Sequence, residues 1–217
     1  MVPIYSSSAA ERILLKYEAD IRAISAGYDL PAPCLQAILY QEITRIDLAD
    51  LLVDGAVRLN WLTYPLRERL AGGQGTIHRG RSLFRKLDSS TGYAQIFAFV
   101  AINAVNFAVE HGITTGEELG IPPGHIPDPD RPADRRWMWL RLNRDPVFNL
   151  RAAALNLLAA AEEVTGRTEF TGFSAEELKR VFTRYNGTMK RISPYGEEAY
   201  LHYLRYGGRG EEPSRQP

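Results

Sequence analysis

The sequence predicts an all-α protein. Apolar residues recur at helical spacing along most of the chain. Serine, proline and glycine stand where these runs begin and end. No alternating run of useful strand length interrupts them, and no internal repeat is visible.

Each element has its own signal. Ser8 and Glu11 have the spacing of a capping box ahead of ILLKYEADIRAIS, and Gly27 is placed to stop that segment, which predicts one N-terminal helix within residues 1–27. Pro33 suits the first turn of the next helix, APCLQAILYQEITR. The glycine-rich stretch 71–82 reads as a loop or small hairpin. STGYAQIFAFVAINAVNFAVEHG follows, with Ser90 or Thr91 as its cap and Gly112 as its stop. That segment is apolar on nearly every side, which predicts a buried central helix. Residues 112–134 are proline-rich and read as a plain connector rather than a lid. Asp145-Pro146 opens a further helix that ends near Gly166. Ser174 and Glu177 form a second capping box for the helix running into Tyr185, and Gly187 stops it. GEEAYLHYLRY is the last amphipathic segment, and 207–217 reads as a disordered tail.

Composition narrows the function. A chain of 217 residues with 45% hydrophobic and 24% charged content suits one globular domain with a substantial core. Lys+Arg and Asp+Glu are 26 each, which argues against a general polyanion binder, so no nucleic-acid partner is expected. The basic stretch from Arg79 to Lys86 then reads as a solvated loop. The single Cys34 excludes a disulfide framework and a cysteine-rich metal site. With only four scattered His, neither a metal nor an organic cofactor is expected. No phosphate-loop motif and no His-Glu-x-x-His motif is present. The N-terminus lacks a basic region followed by an apolar run, so no classical signal peptide is expected. IFAFVAINAVNFAV is too short to span a bilayer and contains Asn103 and Asn106, so no membrane insertion is expected.

One acid stands out. Glu42 falls in line with Leu35, Ile38 and Leu39 at positions i+7, i, i+3 and i+4 of a single helix face. Desolvation at the end of such a stripe favours the neutral carboxyl, and an acid that keeps its proton near neutral pH can serve as a general acid. Taken alone, a glutamate there more often sits at the rim with its head in water. Two further segments change that balance: DSSTGYAQIF, with Asp88, Ser90, Gly92, Tyr93 and Gln95, and TRYNGT, with Tyr185, Asn186 and Gly187. Tyr195 and Tyr200 follow them.

In order and in placement on the predicted helices, this set resembles the lysozyme-like superfamily of lytic transglycosylases and goose-type lysozymes. In that family a helix-borne Glu, usually followed by Ser, precedes a Gly-Leu-Met-Gln-like turn that enters a buried helix. An Ala-Tyr-Asn-Gly-like helix end and a Tyr in a closing helix come next. The counterparts here are Glu42, Gly92-Tyr93-Ala94-Gln95, Arg184-Tyr185-Asn186-Gly187 and the tyrosines after them, spanning roughly Tyr28 to Tyr206. The chain departs from the pattern in three ways. Ile43 stands in place of Ser, Tyr93 and Ala94 replace Leu and Met, and the stretch between Glu42 and Gly92 is longer than usual, which would reshape the glycan groove.

The resemblance implies a single lysozyme-like domain over residues 1–206 that cleaves the β-1,4 bond between N-acetylmuramic acid and N-acetylglucosamine in peptidoglycan glycan strands. Glu42 would protonate the leaving oxygen. In a transglycosylase the sugar's own 6-hydroxyl then attacks, giving 1,6-anhydro products; in a muramidase a second carboxylate positions water. Asp88, just ahead of the turn, is the best second acid, with Asp47 and Asp54 as weaker ones, although Asp88 serves equally well as an N-cap or Asx-turn residue. Asp88 tilts the expectation toward a muramidase.

Ser90, Gly92, Tyr93, Gln95, Tyr185 and Asn186 would form the substrate-binding surface. Gln95 would bond an N-acetyl group or backbone, and Tyr185 would bring its hydroxyl near Glu42 while its ring walls the groove. Tyr200 reads as core. Trp137 and Trp139 read as half-buried anchors or as a sugar-stacking platform.

The substrate lies outside the cytoplasmic membrane, in the periplasm or the extracellular wall. With no leader visible, delivery by a secretion apparatus, on a larger carrier polypeptide or as a phage lysin is expected. An antibacterial toxin or effector of this kind calls for an immunity protein that plugs the groove. A catalytically silent glycan- or protein-binding module competes with the enzyme, as does a helical interaction protein with accidental motifs.

Overall fold

A computed structural model of the chain describes residues 3–70, 86–187 and 191–209. The described residues form nine α-helices and no strand; two isolated β-bridges, Pro3 with Asp47 and Thr91 with Ile96, are the only extended pairings among them. The loop or hairpin expected at 71–82 lies outside the described residues.

The N-terminal segment is two helices rather than one. α1 spans Ser7–Lys16 and α2 spans Glu18–Gly27, with the chain turning at Tyr17 (φ −103°, ψ 16°). That turn sets the Tyr17 ring 5.7 Å from the ring of Tyr93. The cap of α1 is Ser6, whose Oγ accepts the Ala9 amide, so Ser8 lies inside the helix. Glu11 is free of capping duty and instead accepts the Tyr206 hydroxyl at 3.1 Å.

α3, Ala32–Arg45, follows Pro31, has Pro33 in its first turn as expected, and is buried continuously from Cys34 to Leu35 and from Ala37 to Ile43. It lies between α1, α2, α7 and α9. α4, Leu48–Leu70, fills nearly half of the long stretch between Glu42 and the Gly92 turn. Asp47 opens it, with Oδ1 accepting the Ala49 and Asp50 amides at 2.7 and 3.1 Å, while the Asp50 carboxylate accepts the Asp47 amide in return. Val57 and Trp61 anchor α4 to the core, while Leu52, Leu59, Leu62 and Leu66 face outward.

α5 spans Ala98–Glu110, and Gly112 (φ 67°) follows it as expected. The connector after Gly112 is pinned, not free. Asp134 accepts the Asp128 amide and pairs with His125 Nε2, each at 3.0 Å, and Asn106 donates to the Pro127 carbonyl. The connector gives way to α6, Pro132–Arg144, a little earlier than the sequence suggests. α7, Pro146–Thr165, is the long central helix, capped by Asp145 and ended by left-handed Gly166. α8, Ala175–Asn186, carries the complete Ser174–Glu177 capping box. α9, Pro194–Arg205, begins at the Ser193 cap. Residues 207–209 of the expected tail are ordered against α9: the Gly208 amide bonds the Tyr203 carbonyl, and the Arg209 amide bonds the Tyr203 hydroxyl. One hydrophobic core cluster takes residues from every helix. Among the described residues no helix is long and apolar enough to cross a membrane.

Candidate active site

Glu42 lies in the last turn of α3, where the helix is still inside the core, and its exposure is 8%. α9 holds it from the other side. Pro194 starts that helix and places Tyr195 in its first turn, from which the Tyr195 hydroxyl donates to Glu42 Oε1 at 2.5 Å. The neighbours of Glu42 on α3 fix Tyr195 in turn. Gln41 Nε2 donates to the Tyr195 carbonyl at 3.1 Å, and the Arg45 guanidinium lies 4.9 Å over its ring while pairing with Glu198. Burial pushes the Glu42 carboxyl up to about 7. The Tyr195 hydrogen bond and the Arg45 charge pull it down, and the Asp50 charge pushes it up.

The segment Gly92-Tyr93-Ala94-Gln95 forms a tight turn rather than the first turn of a helix. Thr91 and Ile96 exchange backbone hydrogen bonds of 3.2 and 3.3 Å at its base. Gly92 (φ 72°) and Gln95 (φ 45°) both take the left-handed region. A buried amide holds the turn from behind: Asn149 Oδ1 accepts the Ala94 amide at 2.8 Å and its Nδ2 donates to the Thr91 carbonyl at 3.0 Å. A Cβ on Gly92 would lie 2.5 Å from Asn149 Cγ, so only glycine fits both the backbone and the space. Tyr185 secures the remaining carbonyl, donating its hydroxyl to Ala94 O at 2.9 Å. The Gln95 side chain folds onto the turn, with Nε2 bonded to Gly92 O at 2.8 Å.

Glu42, Gln95, Tyr185 and Asn186 line one cleft of about 740 Å³. Phe97, Phe99 and Phe107 from the α5 segment and Asn103 and Asn156 from facing helices complete its walls. Across Gln95 a smaller pocket of about 220 Å³ is lined by Gly92, Tyr93, Asp50, Asp54 and Asn143. Gln95 belongs to both hollows, so the turn is the divide between them.

No family model, curated protein or solved structure matches this chain.

Not every expected site residue reaches the cleft. Asp88 caps α5, with Oδ1 accepting the Ala98 amide at 2.9 Å and Oδ2 the Phe99 amide at 3.1 Å. Burial pushes its carboxyl up to about 6, against the pull of those two amides. The cap of α5 is therefore Asp88, reaching across the turn, and not Ser90 or Thr91. Ser90 lines neither hollow. Tyr185 does line the cleft with Glu42, while its hydroxyl donates to Ala94 O and Tyr195 supplies the hydrogen bond to the acid. Ile43 is fully buried in the core. Trp139 is buried and donates Nε1 to Ser89, and Trp137 lies beside the Arg141 guanidinium, so neither lines the cleft. Tyr200 stacks on Tyr203, away from both hollows.

Two residues without an assigned role in the sequence matter most to the geometry, Tyr195 and Asn149. Each had a signal. Pro194 marks a helix start and so places Tyr195 in a first turn. Asn149 and Asn156 interrupt the apolar run VFNLRAAALNLL seven residues apart, on one face of α7, and a buried amide demands partners. Among the described residues no group of three or more His, Cys, Asp or Glu is placed to hold a metal ion. The cleft offers a carboxyl able to hold and release a proton near neutral pH, an aromatic flank and amide side chains. That combination suits acid catalysis on a polar, ring-containing substrate.

Proposed function

We propose that this chain is a lysozyme-like peptidoglycan glycosidase that cleaves the β-1,4 bond between N-acetylmuramic acid and N-acetylglucosamine with Glu42 as general acid. The observation that carries this is the protonatable Glu42 in the wall of a cleft large enough for sugars, held by Tyr195 and flanked by the Gln95 turn. Glu42 gives its proton to the leaving glycosidic oxygen as the bond at C1 opens, and positive charge develops on the sugar ring. The phenylalanine edges and faces of the cleft provide contact for sugar rings, and Asn103 and Asn156 provide donors and acceptors for N-acetyl groups.

A second reading, the lytic transglycosylase, is favoured by one observation. Both oxygens of Asp88 are taken by backbone amides, so the acid expected to position water is otherwise engaged. In that case the substrate's 6-hydroxyl closes onto C1 and the product carries a 1,6-anhydro end.

The site of action would be the periplasm or the external wall, reached by a secretion apparatus or a phage, as an antibacterial toxin or lysin. A producer of such a toxin would need an immunity protein fitted to the cleft.

Digestion of purified sacculi tests the proposal. The wild-type chain should release soluble muropeptides, and Glu42→Gln should abolish release while still binding sacculi. A wild-type chain that releases nothing, or a Glu42→Gln variant as active as wild type, would exclude the enzyme. Directing the chain to the periplasm should lyse cells, as a control muramidase does.

A further inference from the structure

We propose that Asp50, on α4, is the base that positions and deprotonates the attacking water, which makes the chain a hydrolase. This rests on the glycosidase reading above.

The inference starts from how the nearby acids are used. Asp88 is spent on two amides of α5, and Asp47, whose Oδ1 takes two amides of α4, lines neither hollow. Asp54 lines the small pocket, but Ser89 donates to its Oδ1 at 2.6 Å and Thr91 to its Oδ2 at 2.7 Å. Asp50 differs. Its Oδ2 accepts the Asp47 amide at 3.0 Å, which fixes the carboxylate, and among the described residues no donor bonds Oδ1. The residue is half-buried and lines the small pocket that meets the Glu42 cleft at Gln95. Its charge is also felt at Glu42, where it favours retention of the acid's proton. Acid and base thus come from opposite sides of one turn.

A glycan strand crossing Gln95 would lie between the two carboxyls. The chemistry then balances. Glu42 transfers its proton to the leaving oxygen as the C1–O bond breaks. Water forms the new C1–O bond and passes a proton to Asp50. Solvent later takes that proton from Asp50 and returns one to Glu42, so the net reaction consumes one water. Asp50 lies in the first turn of α4, so the base would be carried by the helix that directly follows the Glu42 helix.

The test is product analysis in water enriched in oxygen-18. Wild type should yield reducing ends labelled at C1. Asp50→Asn, whose side-chain oxygen can still accept the Asp47 amide, should lose at least roughly 100-fold in rate while binding sacculi normally. Asp50→Ala should regain turnover in sodium azide and form a glycosyl azide, a readout that a structural role would not produce. Titration of carbon-13-labelled Glu42 in Asp50→Asn should move downward, which also reports a folded variant. Wild-type products carrying only 1,6-anhydro ends, or Asp50→Asn hydrolysing at the wild-type rate, would overturn the role of Asp50 and leave Glu42-dependent cleavage standing. Wild-type chain that cleaves nothing would overturn both.

Discussion

The Tyr195 hydroxyl donates to Glu42 Oε1 across 2.5 Å and so joins the first turn of α9 to the last turn of α3 inside the core. A donor of this kind favours the carboxylate, while burial favours the acid. Glu42 is therefore held between two opposing influences. Tyr195→Phe removes the larger of the two that favour ionisation and leaves the Arg45 charge in place. Glu42 should then hold its proton to higher pH, and the alkaline limb of the rate profile should move up from its wild-type position near pH 7. The maximum rate should fall about tenfold, the worth of one lost positioning hydrogen bond. A pH profile of muropeptide release measures both effects.

The same burial has a cost in stability. Glu42 ionises near 4.5 in the unfolded chain and near 7 in the folded one. Below the lower value both states are protonated and the contribution to stability is complete. Between the two values the unfolded chain ionises first, so stability declines as pH rises through about 7. The loss is of order 3 kcal/mol. Glu42→Gln has no such titration and keeps an oxygen for Tyr195. It should melt above wild type at pH 8, and the gap should close at pH 4. Thermal unfolding at the two pH values checks this.

Asp88 makes a different contribution, at the start of α5. Its carboxylate satisfies two amides that the helix leaves unpaired. Asp88→Ala should destabilise by about 0.5–2 kcal/mol at pH 5. The penalty should be smaller at pH 8, because wild type itself loses stability as pH rises through about 6, where this buried carboxyl ionises. Below the melting range the variant should still cleave glycan. Paired denaturation and activity measurements separate the cap from a catalytic role.

The helical frame was legible wherever local chemistry decides it. Asp145-Pro146, the Ser174–Glu177 box and Gly166 act over a few bonds, and the helices they bound are where they predict. Ser8 misled because Ser6, two residues earlier, has the same chemistry and takes the cap. Ser90 and Thr91 suggest a cap where the chain instead closes the Gly92 turn, because the supports of that turn are remote: Asn149 is 55 residues from the Ala94 amide it binds. Tyr185 shares the Glu42 cleft, yet the hydrogen bond to the acid comes from Tyr195, for a related reason. Two tyrosines ten residues apart reach the same region from α8 and α9, and only packing decides which hydroxyl meets the acid. Glu42 was legible because its apolar stripe is local, whereas its partner was not.

Gly92 and Asn149 should show strong coupling. Asn149→Ala leaves the Ala94 amide and the Thr91 carbonyl without partners in the interior and should cost roughly 2–5 kcal/mol. Gly92→Ala forces a Cβ into the Asn149 amide and keeps a left-handed backbone that alanine disfavours. In the double variant the clash is gone, since the amide it would strike has been removed, and only the backbone strain remains. The double variant should therefore be more stable than the sum of the two single losses predicts, by about 1 kcal/mol or more. The activity of Gly92→Ala should be low and should not recover in the double variant, because Gln95 and the wall beside Glu42 depend on the Asn149 clamp itself. A denaturation cycle across the four proteins, with sacculus digestion beside it, distinguishes relief of the clash from restoration of the site. Additive stabilities would show that Asn149 does not confine Gly92.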